Sequence, residues 1–173
     1  FAAVLQHPKW SLNPMLRIAS SVSEPLRVKG GAPVGAEMRR LVGTALERVG
    51  LAGNMQERYP HELSGGQRQR VSIARALITQ PEFVLFDEAV SALDVSVQAQ
   101  VLNLIKELQR ESRFSAIFIS HDLAAARYVS SRIAVLRGPT GGGRTGRALL
   151  RPGDTPLCPR PSICERPDRR SDP

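Results

Sequence analysis

The chain has 173 residues, enough for one domain but not comfortably for two. Hydrophobic residues make up 42% and charged residues 23%, which excludes a wholly disordered chain, and no apolar run approaches the roughly 18 residues of a membrane-spanning helix. The formal net charge is +8, and two cysteines are too few for a disulfide scaffold.

Two regions of the sequence differ in character. Residues 1–137 alternate apolar segments with amphipathic ones, which predicts a folded α/β unit. Residues 138–173 hold seven of the 13 prolines and six of the 14 glycines, and they show no periodicity after Leu150. Because proline and glycine at this density do not support a packed core, we expect this tail to be disordered.

The first predicted elements are a short strand, a loop, a helical stretch that Pro25 interrupts, an amphipathic helix, a connector and a second amphipathic helix. They span 2–6, 8–14, 15–28, 35–49, 50–62 and 64–79. Ser64 stands at the N-cap of the last of these helices, where its hydroxyl can accept a backbone hydrogen bond.

Strands at 83–86, 114–119 and 132–136 then alternate with helices at 95–109 and 122–129. The uninterrupted apolar run at 83–86 predicts a strand buried on both faces, and the strand at 114–119 is predicted to be a second buried strand. Alternating strands and helices favour right-handed crossovers and a largely parallel sheet. Such sheets bind ligands beyond the carboxyl ends of their strands, which is where the polar residues of interest lie.

The sequence Leu-Ser-Gly-Gly-Gln at 63–67 opens a predicted helix. Its glycines let a ligand approach the backbone, and the free N–H groups of the first helical turn favour an anion. With Arg68 and Arg70 following, this segment is an anion cup suited to phosphate. The alternative is an ordinary capped helix after a Gly-Gly loop.

Acidic residues and a histidine follow two of the predicted strands. Asp87 and Glu88 come directly after strand 83–86; such carboxylates suit Mg²⁺, and the second could orient or deprotonate a water. His121 follows strand 114–119, where an imidazole can donate to a phosphate oxygen. The alternatives are solvated charges at a strand end and a histidine that merely neighbours a helix cap.

Taken alone, the turn at 91–94 and Gln6 indicate little about the function of the chain. Taken together, a phosphate cup, a strand ending in Asp-Glu and a strand ending in His form a coherent set for cleaving a nucleoside triphosphate.

This set resembles the nucleotide-binding domain of ATP-binding-cassette (ABC) transporters over about residues 2–137. Gln6 resembles the Q-loop glutamine, LSGGQ the signature, FVLFDE at 83–88 the Walker B strand, SALD at 91–94 the D-loop and His121 the switch histidine. Further strings resemble the oligopeptide, dipeptide and nickel importer subfamily: QHP at 6–8, SLNP at 11–14, EPL at 24–26, RYPHE at 58–62 and VSVQAQVL at 95–102.

The resemblance implies a partial P-loop NTPase fold of the ABC type, with a mostly parallel sheet and a helical signature-motif subdomain at about 15–79. It implies that ATP and Mg²⁺ are the cofactors. Glu88 would polarise the attacking water, His121 would stabilise the transferred phosphoryl group, and Asp87 would support Mg²⁺ through water. The implied ATP-binding residues are Gln6, Ser64, Gly65, Gly66, Gln67 and Asp94, and Gln6 would also sense Mg²⁺.

The resemblance also implies binding partners and a cellular location for the chain. It would close head to tail with a second nucleotide-binding domain, identical or paralogous, and work with membrane permease subunits and indirectly with a solute-binding protein. No nucleic-acid partner is implied. The location would be the cytoplasmic face of the cell membrane, as a peripheral subunit.

Three features depart from the family pattern. The sequence contains no G-x-x-x-x-G-K-[ST], and the family's loop lies before Gln6, so we expect an incomplete chain that alone binds and hydrolyses ATP poorly. Ala89 replaces the usual proline, which predicts a looser Glu88. The sequence after Leu136 departs from the family, which leads to the hypothesis that the reading frame shifts near residues 137–140.

Two other functions stay open at this point. The chain could be a non-catalytic remnant of an importer gene. It could instead be a soluble ABC ATPase that acts on DNA, as its +8 charge would allow. Against the second, residues 138–173 supply +3 of that charge, and aromatic residues, which would interleave a nucleic-acid stripe, are only 5%.

Overall fold

The computed structural model describes residues 1–6, 12–136 and 147–150. Its strands are β1 (Ala2–Val4), β2 (Phe83–Asp87), β3 (Ser115–Ile119), β4 (Ile133–Leu136) and β5 (Arg147–Leu150). Its α-helices are α1 (Ile18–Lys29), α2 (Ala36–Arg48), α3 (Gly65–Leu77), α4 (Val95–Ser112) and α5 (Leu123–Val129), and two 3₁₀ turns cover Gly53–Glu57 and Pro60–Glu62. The predicted α/β class is confirmed.

Three strands form a parallel sheet in the order β1-β2-β3. Val4 pairs with Phe86, and Asp87 pairs with Ile119, so the carboxyl ends of the three strands lie at one edge. The prediction that β2 is buried on both faces is only half right. Val84 and Phe86 are buried, whereas the alternate residues are half-buried because their face is not fully covered.

The prediction that the strand at 114–119 is buried is wrong for β3. Phe114, just before the strand, is buried, but Ile117 and Ile119 are 51% and 46% exposed. The physical reason is that β3 has one neighbouring strand, β2, so within the described residues it is an edge strand.

The helix α1 is continuous, although the sequence predicts an interruption at Pro25. A proline inside a helix removes one backbone hydrogen bond and costs roughly 3 kcal/mol. Ile18 and Val22, both fully buried, pack the first half of the helix into the core and offset this cost. Tertiary packing therefore overrides the local helix-breaking signal.

The amphipathic patterns of α2, α3 and α4 are confirmed, since each helix turns an apolar stripe into one shared core. The helix α4 extends to Ser112 rather than ending at residue 109, and Arg113 closes it in the left-handed region at φ 52°. The helices α1, α2 and α3 all fall within the predicted helical subdomain at about 15–79, and the amino end of α3 reaches α4.

The last predicted strand exists as β4, but within the described residues it does not join the parallel sheet. It pairs antiparallel with β5, with Ile133 opposite Leu150 and Leu136 opposite Arg147. The strand β5 lies within the stretch 138–173 that the sequence predicts to be disordered, and β4 supplies its backbone hydrogen bonds.

Residues 137–146 and 151–173, which include the predicted frameshift, lie outside the described residues, as do residues 7–11 of the predicted loop. None of the helices that the structure describes has both the length and the apolar character needed to cross a membrane.

Candidate functional site

Three polar side chains meet beyond the carboxyl ends of the parallel strands. Gln6 donates from Nε2 to Oε2 of Glu88 at 2.8 Å. Nδ1 of His121 lies 3.1 Å from Oε1 of the same carboxylate. The structure thus brings together the residues that follow β1, β2 and β3, and we call them the Glu88 cluster.

The backbone of Glu88 is as closely held as its side chain. Its N–H donates to the carbonyl of Ile119 at 3.0 Å, which continues the β2–β3 ladder into the cluster. Its carbonyl accepts from the N–H and the hydroxyl of Ser91, at 3.1 and 2.9 Å. The φ angle of Glu88 is +47°, a left-handed conformation that is uncommon for a residue with a side chain.

Exposure differs between the two ionisable members of the cluster. The Glu88 side chain is 26% exposed and the His121 side chain is 70% exposed. The carboxylate is therefore positioned by the fold, while the imidazole extends into solvent and depends on the turn that carries it.

Asp87, the last residue of β2, fits a Mg²⁺ site to which the protein contributes few ligands. Its carboxylate makes no hydrogen bond or ion pair within residues 1–6 and 12–136, so its oxygens are available. Over the part of the chain that the structure describes, no group of three or more His, Cys, Asp or Glu could hold a metal. Mg²⁺ commonly takes one or two carboxylates and completes its shell with water and phosphate oxygens.

The start of α3 has a capping box. The Ser64 hydroxyl accepts from the Gln67 N–H at 3.2 Å, and Gln67 Oε1 accepts from the Ser64 N–H at 3.0 Å. The amides of Gly65 and Gly66 have no acceptor among the described residues. The helix therefore begins with two N–H groups that can bind an anion, next to an exposed serine.

The two glycines also pack against the chain itself. A Cβ at Gly66 would lie 2.5 Å from Cγ1 of Val97, and one at Gly65 would lie 3.7 Å from Cδ2 of Leu93. A distance of 2.5 Å cannot be accommodated without movement, because valine is stiff about χ1. Gly66 thus has a structural reason to be glycine besides any approach by a ligand.

Arg68 and Arg70 do not extend the anion cup as the sequence suggests. Arg68 donates to the carbonyl of Leu63 and, at 3.4 Å, to that of Pro60. Arg70 donates to the carbonyl of Val49 at 2.9 Å. The reason is that the loop and the 3₁₀ turn before α3, and the end of α2, leave backbone carbonyls that need donors, and these guanidinium groups supply them.

Asp94, at the N-cap position of α4, is exposed and its side chain makes no capping hydrogen bond. Its carbonyl accepts from the N–H of Gln98 at 2.8 Å. Within the described residues neither Asp94 nor the start of α3 is hydrogen-bonded to the Glu88 cluster. The roles assigned to Asp94 and to 64–67 remain predictions.

Asp122 and Gln98 form a contact that the sequence does not reveal. Asp122 Oδ1 accepts from the amides of Ala124 and Ala125 at 2.8 and 3.2 Å, and Oδ2 accepts from Nε2 of Gln98 at 3.1 Å. The amides of Ala125 and Ala124 hold the pKa of the Asp122 carboxyl below its ordinary value, and Gln98 and His121 add to this effect. Nothing in the sequence distinguishes Gln98 from its neighbour Gln100.

Known proteins are similar to this chain in sequence and in fold. A profile described as "ABC transporter" matches residues 2–91. The oligopeptide transport ATP-binding protein OppF of Haemophilus influenzae is 49% identical over 133 residues, which cover 77% of this chain and 40% of OppF. The glutathione import ATP-binding protein GsiA of Escherichia coli is 50% identical over 133 residues, or 77% of this chain and 21% of GsiA.

A solved structure also matches the fold. The ATP-binding cassette MJ0796, described as a dimer in a post-hydrolysis state bound to ADP and Pi, superposes with a TM-score of 0.65 at 33% identity. The match covers 77% of this chain and 57% of that one. The chain spans about 40% of the OppF sequence that it matches. The profile match covers more than half of the residues, and with it the chain belongs to the ABC transporter family.

Proposed function

We propose that the chain is part of the ATP-hydrolysing subunit of an ABC importer that takes up peptides. The observation that carries the proposal is the Glu88 cluster, in which one carboxylate is held by an amide on one side and an imidazole on the other. A carboxylate fixed in this way, next to the available oxygens of Asp87, suits the activation of a water beside a Mg²⁺-bound phosphate.

Each residue has a role under this proposal. Glu88 polarises the attacking water, and His121 donates to the oxygens of the transferred phosphoryl group. Asp87 would support Mg²⁺, and Gln6, through its amide, would sense whether the cation and the terminal phosphate are present. Mg²⁺ supplies neutralisation of phosphate charge.

The start of α3 acts on a second nucleotide. The free amides of Gly65 and Gly66, with the Ser64 hydroxyl, are suited to the terminal phosphate of ATP held by a partner domain. This arrangement requires a dimer, and the similar cassette MJ0796 is described as one. Asp94, on the turn beside this helix, would contact the same dimer interface.

The substrate class rests on the names of relatives. OppF is named an oligopeptide transport ATP-binding protein, and GsiA is named a glutathione import ATP-binding protein. We therefore propose a short peptide as the imported solute. The subunit would work with permease subunits and a solute-binding protein, at the cytoplasmic face of the cell membrane and without nucleic acid.

Deletion of the gene that encodes the chain, followed by re-expression, tests the proposal in the cell. We expect deletion to abolish uptake of a labelled tripeptide and the wild-type gene to restore it. Re-expressed Glu88→Gln should fail to restore uptake, because removal of a general base costs roughly 10²- to 10⁴-fold in rate. Glu107→Gln, on the exposed face of α4, is the matched control and should restore uptake.

The outcomes separate the parts of the proposal. Loss of nickel uptake alone would contradict the peptide assignment while leaving an importer. Unchanged uptake of tripeptide, glutathione and nickel in the deletion strain would contradict the importer function itself.

A further inference from the structure

The turn that carries His121 connects β3 to α5. Because the ring is 70% exposed, packing does not hold it, and its position depends on the backbone of residues 120–122. The contact with Glu88 at 3.1 Å is made only when that turn is correctly placed. What fixes the turn therefore fixes the imidazole.

Asp122 is the anchored residue of this turn. Its N–H donates to the Ser120 hydroxyl at 3.0 Å, and its Oδ1 caps α5 through Ala124 and Ala125. These three hydrogen bonds lie within residues 120–125, so they move with the segment and do not attach it to anything else.

A further hydrogen bond attaches the turn to another element. Gln98 Nε2, in the first turn of α4, donates to Asp122 Oδ2 at 3.1 Å. Gln98 is itself held, because its N–H donates to the carbonyl of Asp94 at 2.8 Å. Among the described residues it is the only side chain from outside 120–125 that hydrogen-bonds to Asp122.

A second hydrogen bond joins the same two helices farther from the site. The Tyr128 hydroxyl, near the end of α5, donates to Oδ1 of Asn103, and Lys106 lies 4.1 Å from the centre of the Tyr128 ring. The helix α5 is thus attached to α4 at both ends. Only the Gln98 attachment adjoins His121, and the Tyr128 attachment offers a matched control.

We propose that Gln98 is a positioning residue for His121: by donating to Asp122 it holds the 120–122 turn so that the imidazole meets Glu88. The consequence for catalysis rests on the proposed function. Gln98 acts through Asp122 and touches neither nucleotide nor reacting water.

The first test needs no nucleotide. The whole chain, labelled with ¹⁵N in its histidine rings, is compared by NMR as wild type, Gln98→Met, Gln98→Asn and Tyr128→Phe. Loss of signal in His121→Asn identifies the His121 resonances, and Glu88→Ala gives the Nδ1 position when the carboxylate is absent. Methionine keeps the length of glutamine without its donor, and asparagine keeps the amide but is one methylene shorter.

We expect both Gln98 variants to move the Nδ1 signal toward the Glu88→Ala position. Loss of a hydrogen bond to a charged group changes such an equilibrium by roughly tenfold. Tyr128→Phe should stay at the wild-type position. The proposal is overturned if the signal is unmoved in whichever Gln98 variant folds, or if Tyr128→Phe moves it equally. If both Gln98 variants unfold, Gln98 is needed for folding, and this outcome also contradicts a positioning role.

The second test uses the assembled transporter. There we expect Gln98→Met to lower kcat for ATP hydrolysis about tenfold with KM changed less than twofold, because the ring is misplaced but nucleotide contacts remain. A change in KM alone would overturn the assignment. Absence of turnover in the wild-type transporter would contradict the proposed function instead, and the NMR comparison would still decide the role of Gln98.

Discussion

Glu88 combines an unusual backbone with the densest set of contacts in the candidate site. It adopts φ +47° while its N–H donates to Ile119 and its carbonyl accepts from Ser91. The left-handed region costs a residue with a Cβ about 1–2 kcal/mol, and such a cost is common where a side chain must be aimed. The backbone at Glu88 therefore places the carboxylate at a cost to the stability of the fold.

This cost can be measured by comparing Glu88→Gly with Glu88→Ala. Both variants lose the contacts with Gln6 and His121, but only alanine keeps the Cβ. We expect the glycine variant to have a free energy of unfolding about 1 kcal/mol higher, because glycine adopts positive φ freely. Urea denaturation gives the difference, and a glycine variant no more stable than the alanine variant would show that the backbone at Glu88 is not strained.

Asp122 makes the stability of the folded chain depend on pH. Its pKa is lowered in the folded chain by the amides of Ala125 and Ala124, so its contribution to stability is fully present above the unfolded value of about 3.9. The contribution is lost as pH falls below that value through the lower folded pKa. We expect Tm to fall between pH 5 and pH 2 more steeply in the wild type than in Asp122→Asn, which can still cap α5. Parallel slopes would contradict this assignment.

Several of these residues were predictable and others were not. Asp87, Glu88 and His121 are visible in the sequence because each follows an apolar strand, and the edge of a parallel sheet gathers such residues. Gln98 is not visible, since glutamines on a helix surface look alike until the neighbouring element is known. Arg68 and Arg70 were misinterpreted for a related reason, because a sequence does not show which carbonyls lack donors.

At the scale of elements, the tip of α3 and the first turn of α4 are packed together. Gly66 lies against Val97, and one residue later Gln98 reaches Asp122. The start of α4 thus contacts both the helix proposed to bind the partner's nucleotide and the turn that carries His121. The first turn of α4 therefore joins the start of α3 to the turn that carries His121.

The contact between α3 and α4 predicts an asymmetric mutational pattern. Gly66→Ala should lower the free energy of unfolding by about 1–3 kcal/mol, because its Cβ would overlap Val97. Val97→Ala should be milder, since Val97 is only half-buried. In the double variant the smaller side chain at 97 makes room, so we expect less destabilisation than the sum of the single changes. Additive effects in chemical denaturation would show that the two residues do not contact each other.

The elements themselves were predicted with uneven success. The capped helix α3 and the amphipathic helices α2 and α4 follow from periodicity, which is a local property. The continuity of α1 through Pro25, the exposure of β3 and the antiparallel pairing of β4 depend on neighbours distant in the sequence. Periodicity carries no information about those neighbours.

At the scale of the whole molecule, the 173-residue sequence contains no G-x-x-x-x-G-K-[ST] phosphate-binding motif. Among the described residues, the donors proposed to meet a nucleotide are the amides of Gly65 and Gly66 and the side chains of Gln6 and His121. Because the sequence lacks the lysine and the backbone cradle of such a loop, we expect these groups to supply little ground-state affinity for ATP.

We therefore expect Mg-ATP to leave the Tm of the 173-residue chain essentially unchanged. A ligand at 100 times its Kd would add about 2.7 kcal/mol, which a thermal-shift titration detects readily. A magnesium-free titration serves as the control. Saturable stabilisation that needs Mg²⁺ would show that the cluster binds nucleotide without the loop.

The hydrogen bond from the Glu88 amide to Ile119 makes one rung of the β2–β3 ladder part of the candidate site. Fraying of this strand end would separate the segment bearing the carboxylate from the segment bearing the imidazole before the rest of the sheet melts. The hydrogen-exchange rate of the Glu88 amide would therefore report how often this strand end opens and separates the two segments. The measurement needs neither nucleotide nor an assay of turnover.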